Sequence, residues 1–138
     1  MKRIILILSV ITATLQSCDK VYINGDLDGM WQLQKVEFSD SAAYPQDIYY
    51  SFQRHRVQVS ENYEEGLPLR YIGDLDYTGD TLRISGFRKF LEEEIVAGMN
   101  ELERFFLYDT VTVFKVEVLD DSQLTLRSNR ALYTLKKW

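Results

Sequence analysis

Residues 28–38 read Asp28-Gly29-Met30-Trp31-Gln32-Leu33-Gln34-Lys35-Val36-Glu37-Phe38. Trp31 and Leu33 alternate with polar neighbours, as one buried face of a strand does when successive side chains point to opposite faces. Val36 and Phe38 then take the opposite parity. Both pairs stay on one face only if an extra residue is inserted between them, which is what a β-bulge does. A bulged strand bends, and bent strands suit a closed or strongly curved sheet. This stretch predicts the opening strand of such a sheet.

The same period of two runs through most of the chain. Leu69, Tyr71, Leu75 and Tyr77 share a face opposite Arg70, Asp74 and Asp76, and Thr78-Gly79-Asp80 is a turn signal. Leu82 and Ile84 follow in alternation, completing a hairpin. Phe114, Val116 and Val118 alternate with Lys115 and Glu117; Asp120-Asp121-Ser122 turns the chain into Leu124 and Leu126. Ser128-Asn129 turns it again into Ala131, Tyr133 and Leu135. These three segments predict a meander ending at Trp138. Tyr50 and Phe52 giving way to Val57 and Val59 repeats the parity change of the first strand and predicts a second bend.

Residues 87–106 break the pattern. Phe87, Phe90, Leu91, Ile95, Met99, Leu102, Phe105 and Phe106 recur at spacings of three and four, with Glu92, Glu93, Glu101 and Glu103 largely opposite. The spacing predicts an amphipathic helix, or two short ones broken near Gly98, packed on the sheet.

At 138 residues, 46% hydrophobic and with two prolines, the chain has room for one domain with a real core. Sixteen basic against 21 acidic residues give a net charge of −5, the wrong sign for a surface that collects nucleic-acid phosphates. A single Cys and a single His exclude a disulfide framework and nearly every zinc or iron site within one chain. No cofactor or metal is expected.

Lys2 and Arg3 precede the apolar run Ile4-Ile5-Leu6-Ile7-Leu8-Ser9-Val10-Ile11, the layout of a secretory signal. The run ends near Leu15, short of the roughly 20 residues a spanning helix needs. Leu15-Gln16-Ser17-Cys18 resembles the bacterial lipobox, in which the Cys is acylated and becomes the mature N-terminus. The expected division is residues 1–17 as lipoprotein signal peptide, 18–28 as lipidated Cys18 and a polar tether, and 29–138 as the folded domain. Loss of Lys2 and Arg3 leaves 14 basic against 21 acidic residues, a charge of −7. Each buried acyl methylene contributes about 0.8 kcal/mol, so a palmitate-bearing, multiply acylated Cys18 anchors stably.

Gly29-x-Trp31 followed by hydrophobic alternation resembles the first strand of lipocalin-like domains. The order of lipobox, short acidic tether, Gly-x-Trp strand, many short strands and a final strand Ala131-Leu132-Tyr133-Thr134-Leu135-Lys136-Lys137 is similar to small lipocalin-like lipoproteins of Gram-negative envelopes. The resemblance implies a mainly β fold: an antiparallel lipocalin-like, calycin-type barrel with one amphipathic helix near 87–106. It also implies that Trp31 sits at the closed base and that a cavity for a small apolar ligand opens at the mouth. The helix lies before the last three strands, unlike the typical lipocalin order, so the alternative is an α+β fold with a helix packed across a curved antiparallel sheet.

Other motifs point less far. Asn24-Gly25-Asp26-Leu27-Asp28-Gly29 imitates an EF-hand loop, but position twelve is Lys35 where a bidentate carboxylate belongs. His55 between Arg54 and Arg56 has no nucleophile or second His to serve and fits a surface or edge-strand position; the alternative is that Arg54 and Arg56 rim a pocket for an acidic ligand. Asp74 and Asp76 fit an exposed strand face. Eighteen aromatic residues in the 120 that follow Cys18 either fill a small barrel or line a pocket. No catalytic residue is expected. The functional expectation is an envelope lipoprotein, outer membrane favoured, binding a small hydrophobic or amphipathic molecule without catalysis. The alternative is a protein-interaction or structural module with a filled barrel.

Overall fold

The computed structural model describes residues 23–62 and 69–138. The segment expected to be a signal peptide, and Cys18, lie outside the described residues. After a 3-10 turn at Gly25–Leu27 the strands are β1 (Gly29–Glu37), β2 (Ala42–Ala43), β3 (Ile48–Gln53), β4 (Arg56–Glu61), β5 (Leu69–Thr78), β6 (Thr81–Lys89) and β7 (Glu92–Val96). A single helical turn, α1 (Met99–Leu102), runs into a 3-10 turn at Glu103–Phe105. Then come β8 (Val111–Leu119), β9 (Gln123–Arg127) and β10 (Leu132–Lys137).

Every pairing is antiparallel, and β1, β3, β4, β5, β6, β8, β9 and β10 follow one another around a closed eight-stranded barrel. Closure comes from β1, which pairs β3 through Trp31↔Tyr50 and β10 through Leu33↔Leu135. The short strands β2 and β7 add to β1 and β6. The predicted bulge is present: the β1–β10 register shifts between Leu33 and Lys35, so exposed Gln34 is the extra residue and Trp31, Leu33 and Val36 all face inward, fully buried. A second bulge, in β6, is made by Gly86 with φ +65°. A Cβ there would stand 2.7 Å from Asp74 Oδ2, so the site suits glycine on both counts.

Three expectations need correction. The helix near 87–106 is confined to Met99–Leu102 and its 3-10 extension. Phe87 belongs to β6 and faces the core; Phe90 and Leu91 form a turn, with Leu91 at φ +66° and 83% exposed; β7 is exposed throughout. An inward strand residue, a hairpin tip and one helical turn thus imitated a helical stripe, and neither a long helix nor the α+β alternative forms. The change between Tyr50/Phe52 and Val57/Val59 is a hairpin, with Gln53↔Arg56 around Arg54-His55, and not a bend. Val118 is 41% exposed because a bulge between Val116 and Val118 turns it outward.

Eight strands leave an interior that side chains can just fill. Here Trp31, Tyr50, Phe52, Phe105, Phe114, Tyr133 and a ring of leucines are essentially inaccessible, and they form one cluster from end to end.

Candidate functional site

The two ends of the barrel differ. At one end the Gly25–Leu27 turn crosses below the strands and puts fully buried Leu27 against the core. Trp31 Nε1 donates to Leu27 O at 2.9 Å, which satisfies the only polar atom of an otherwise apolar, wholly buried ring. Lys137, from the end of β10, lies over that ring, its ammonium 4.5 Å from the centroid, and donates to Asp28 O at 2.5 Å. Gly29 makes room for it. With φ +128° and no side chain, Gly29 leaves the space that Lys137 Nζ enters, 2.5 Å from where a Cβ would be. Asp28 is itself buried, its carboxylate accepting from the amide of Asn24 at 2.7 Å, and Asn24 also donates to Arg54 O at 2.8 Å. The residues that imitated a cation loop therefore brace the closed end, and Lys35 pairs with Glu37 on β1. The fold reaches back to Asn24, five residues ahead of the first strand.

The opposite end, the mouth, is stoppered. Residues 98–107 cross it, with Leu102, Phe105 and Leu107 inserted between the strands and buried. Gly98 opens the turn, its N–H donating to Glu101 Oε2 at 2.8 Å, and Phe106 closes it at φ +63°. From inside the barrel, Tyr50 and Tyr133 donate their hydroxyls to the carbonyls of Phe105 and Phe106. The Phe105 ring meets Tyr71 edge to face, centroids 5.8 Å apart. Burial pushes the Tyr50 and Tyr133 hydroxyls well above the ordinary phenol range, Tyr50 further held neutral by the nearby Tyr133 and Tyr108. Both remain donors throughout the neutral range.

Outside the stopper, Phe38, Ser39, Asp40, Ser41, Tyr108 and Arg130 rim an open groove of about 580 Å³. Phe38 and Tyr108 meet edge to face at 6.0 Å, and Arg130 lies over Tyr108 at 5.7 Å with Asp109 at 3.4 Å. The other sequence candidates are scattered. Arg56, Asp74 and Arg88 border a shallow pit of about 190 Å³ on the outer wall, where Arg56 and Glu93 approach to 4.0 Å. Asp74 and Asp76 are exposed on β5, and His55 is exposed in the β3–β4 turn. Among the described residues no three His, Cys, Asp or Glu side chains gather to hold a metal. Sequence reasoning singled out Trp31 but missed Lys137 and the two stoppering tyrosines, since nothing in a linear pattern says which tyrosine meets which carbonyl.

The sequence profile of the lipocalin-like domain family matches residues 13–138. The chain belongs to this family. Among solved structures, this lipocalin-like chain is similar to a lipocalin-like protein from Bacteroides uniformis, at 22% identity and a TM-score of 0.66, covering 83% of this chain and all of that one. It is also similar to an uncharacterized protein from Bacteroides eggerthii, at 21% identity and a TM-score of 0.64, covering 81% of this chain and 99% of that one. At these identities the likeness is one of fold. No curated protein matches. The lipocalin-like barrel thus rests on its own closed register as well as on the family, and its ends differ as described.

Proposed function

We propose that the protein is a non-catalytic lipoprotein of the cell envelope, anchored through Cys18, that acts through the outer surface of a filled lipocalin-like barrel. The observation that carries this reading is the stopper. Leu102, Phe105 and Leu107 occupy the mouth through which an apolar ligand would enter, and Trp31, Phe52, Phe114 and the tyrosines fill what lies beneath. Ligand sites usually need roughly 300–1,000 Å³ of concave space. The rim groove has that volume, but it lies outside the barrel. Recognition at the rim, by partner protein or amphipathic molecule, accounts for it better than carriage inside.

A second reading, binding of a small hydrophobic molecule within the barrel, is favoured by one specific feature. The stopper is short and is held from within by two tyrosine hydroxyls, so its withdrawal would uncover a pocket lined by Tyr50, Tyr71, Phe114 and Tyr133. Titration of an apolar fluorescent probe of fatty-acid size into the folded mature Cys18→Ala chain separates the two. Absence of saturable binding is expected. Stoichiometric binding that releases the Tyr50 and Tyr133 hydroxyls from the carbonyls of Phe105 and Phe106, with lost amide protection in residues 98–107, would overturn the filled-barrel reading in favour of the second. Anchoring is tested separately: Cys18→Ala should abolish incorporation of labelled palmitate in the host.

A further inference from the structure

The anchoring proposed above constrains orientation once the start of the fold is known. Asn24 is tied to the closed end by its hydrogen bonds to Asp28 and to Arg54 O in the β3–β4 turn. Cys18 lies six residues earlier. An extended chain spans at most about 3.3–3.6 Å per residue, so the acylated residue lies within about 20 Å of the barrel. The longest strand, β5, has ten residues. At about 3.3 Å per residue and a tilt of 35–45°, it rises about 25 Å along the barrel axis. A barrel standing mouth-down would hold Asn24 that far from the headgroups, with the mouth loops added. The tether is too short for this.

Large apolar side chains exposed near the closed end include Trp138 and Ile23. Trp138, whose backbone N–H donates to Met30 O, is 70% exposed with its ring set edge-on to Tyr49 at 5.1 Å, and Ile23 is 48% exposed. Tryptophan favours the membrane–water interface. The turns at this end carry Arg54, Asp80, Asp120 and Asp121, a net acidic set that suits zwitterionic and not anionic headgroups.

We propose that the closed end faces the membrane that holds the anchor, with Trp138 and Ile23 in its headgroup layer, and that the stoppered mouth and its rim groove project into the aqueous compartment. The proposal rests on acylation of Cys18. It deepens that reading by giving the occupant of the closed end, a lipid surface, and by leaving the rim groove accessible to partners.

The test uses the acylated mature protein in vesicles of phosphatidylcholine and phosphatidylethanolamine. Cys18 is the only cysteine and is blocked by acylation, so a thiol dye reports on an introduced residue alone. Energy transfer to a headgroup-labelled acceptor lipid should be at least twofold greater from Asp80→Cys, at the closed end, than from Asp40→Cys, at the rim. Brominated phosphatidylcholine should quench Trp138 and spare buried Trp31, and Trp138→Phe should remove that quenching. Equal transfer from the two sites, or greater transfer from Asp40→Cys, overturns the orientation. Unquenched Trp138 overturns the headgroup contact. A mature chain whose Cys18 carries no acyl group overturns the anchoring itself, a failure that mass spectrometry of the purified protein distinguishes from the other two.

Discussion

Phe105→Ala tests whether the mouth is part of the core. Phe105 is fully buried and packs edge to face on Tyr71. An aromatic side chain of this kind buries about 150–250 Å², and Phe-to-Ala changes in cores cost about 3–5 kcal/mol including the cavity left behind. The lost aromatic pair contributes about 0.5–1.5 kcal/mol of that. The main-chain carbonyl that accepts from Tyr50 survives the substitution, so the hydroxyl is not orphaned and the loss is one of packing. Against a total stability of about 5–15 kcal/mol, such a loss is readily measured. Urea unfolding of the two chains, with hydrogen exchange on the amides of residues 98–107, separates the outcomes. The expected result is a loss of at least 3 kcal/mol, with stopper amides in the wild type opening only in large unfolding events. A loss below 1 kcal/mol, with stopper amides exchanging through a local opening, would show that the segment detaches cheaply. The barrel would then behave as a lidded container, contrary to the argument above.

The same packing sets the outcome of other substitutions. Trp31→Ala should cost about 3–5 kcal/mol in urea unfolding, and Lys137→Met about 1–2 kcal/mol through the lost cation–π contact and the hydrogen bond to Asp28 O. The buried Tyr50 and Tyr133 hydroxyls titrate above their unfolded values, so the folded state keeps protons that the unfolded state releases. Their contribution is complete below about pH 10 and is lost as pH rises beyond it, at up to about 1.4 kcal/mol per pH unit for each tyrosine; unfolding midpoints at pH 9 to 11 should fall less steeply in Tyr50→Phe. Gly86→Ala forces a positive-φ alanine toward Asp74 and should lower stability by about 1–3 kcal/mol, with Asp74→Ala restoring part of the loss in the double variant.

Much of the barrel is legible in the sequence because alternation is a local signal. The parity change between Leu33 and Val36 announced the bulge at Gln34, and the Thr78-Gly79-Asp80 turn and the C-terminal meander fell where their turn residues stand. Parity alone is ambiguous, however. The same change between Phe52 and Val57 reports a two-residue hairpin, and only the pairing partner tells a bend from a turn. Residues 87–106 misled for a related reason. Spacings of three and four arise whenever an inward strand, a tight turn and a single helical turn succeed one another, and the amphipathic test assumes one continuous element. The stopper's role was illegible because it depends on contacts across 27 and 55 residues of chain, those of Tyr133 with Phe106 and Tyr50 with Phe105.

The closed end shows why Gly-x-Trp carries information beyond three letters. Trp31 needs a partner for its indole N–H and a cover for its face. Leu27 O supplies the first and Lys137 the second, from opposite termini of the domain. Lys137 reaches the ring only because Gly29 has no side chain, and it is held there by Asp28 O, one residue before that glycine. The backbone adds a further tie, from Trp138 N–H to Met30 O. The Trp31–Leu27 bond is local, but the contacts of Lys137 and Trp138 form only when β10 has closed on β1, so they stabilise the closed barrel over any open sheet built from the same hairpins. A change at Gly29, Trp31 or Lys137 should therefore act on closure as a unit, with non-additive losses in double variants. Changes at Phe38, Tyr108 or Arg130, which touch neither seam nor core centre, should leave closure intact while altering the rim. That separation lets one end of the barrel be held fixed while the other varies, as the proposed recognition at the rim requires.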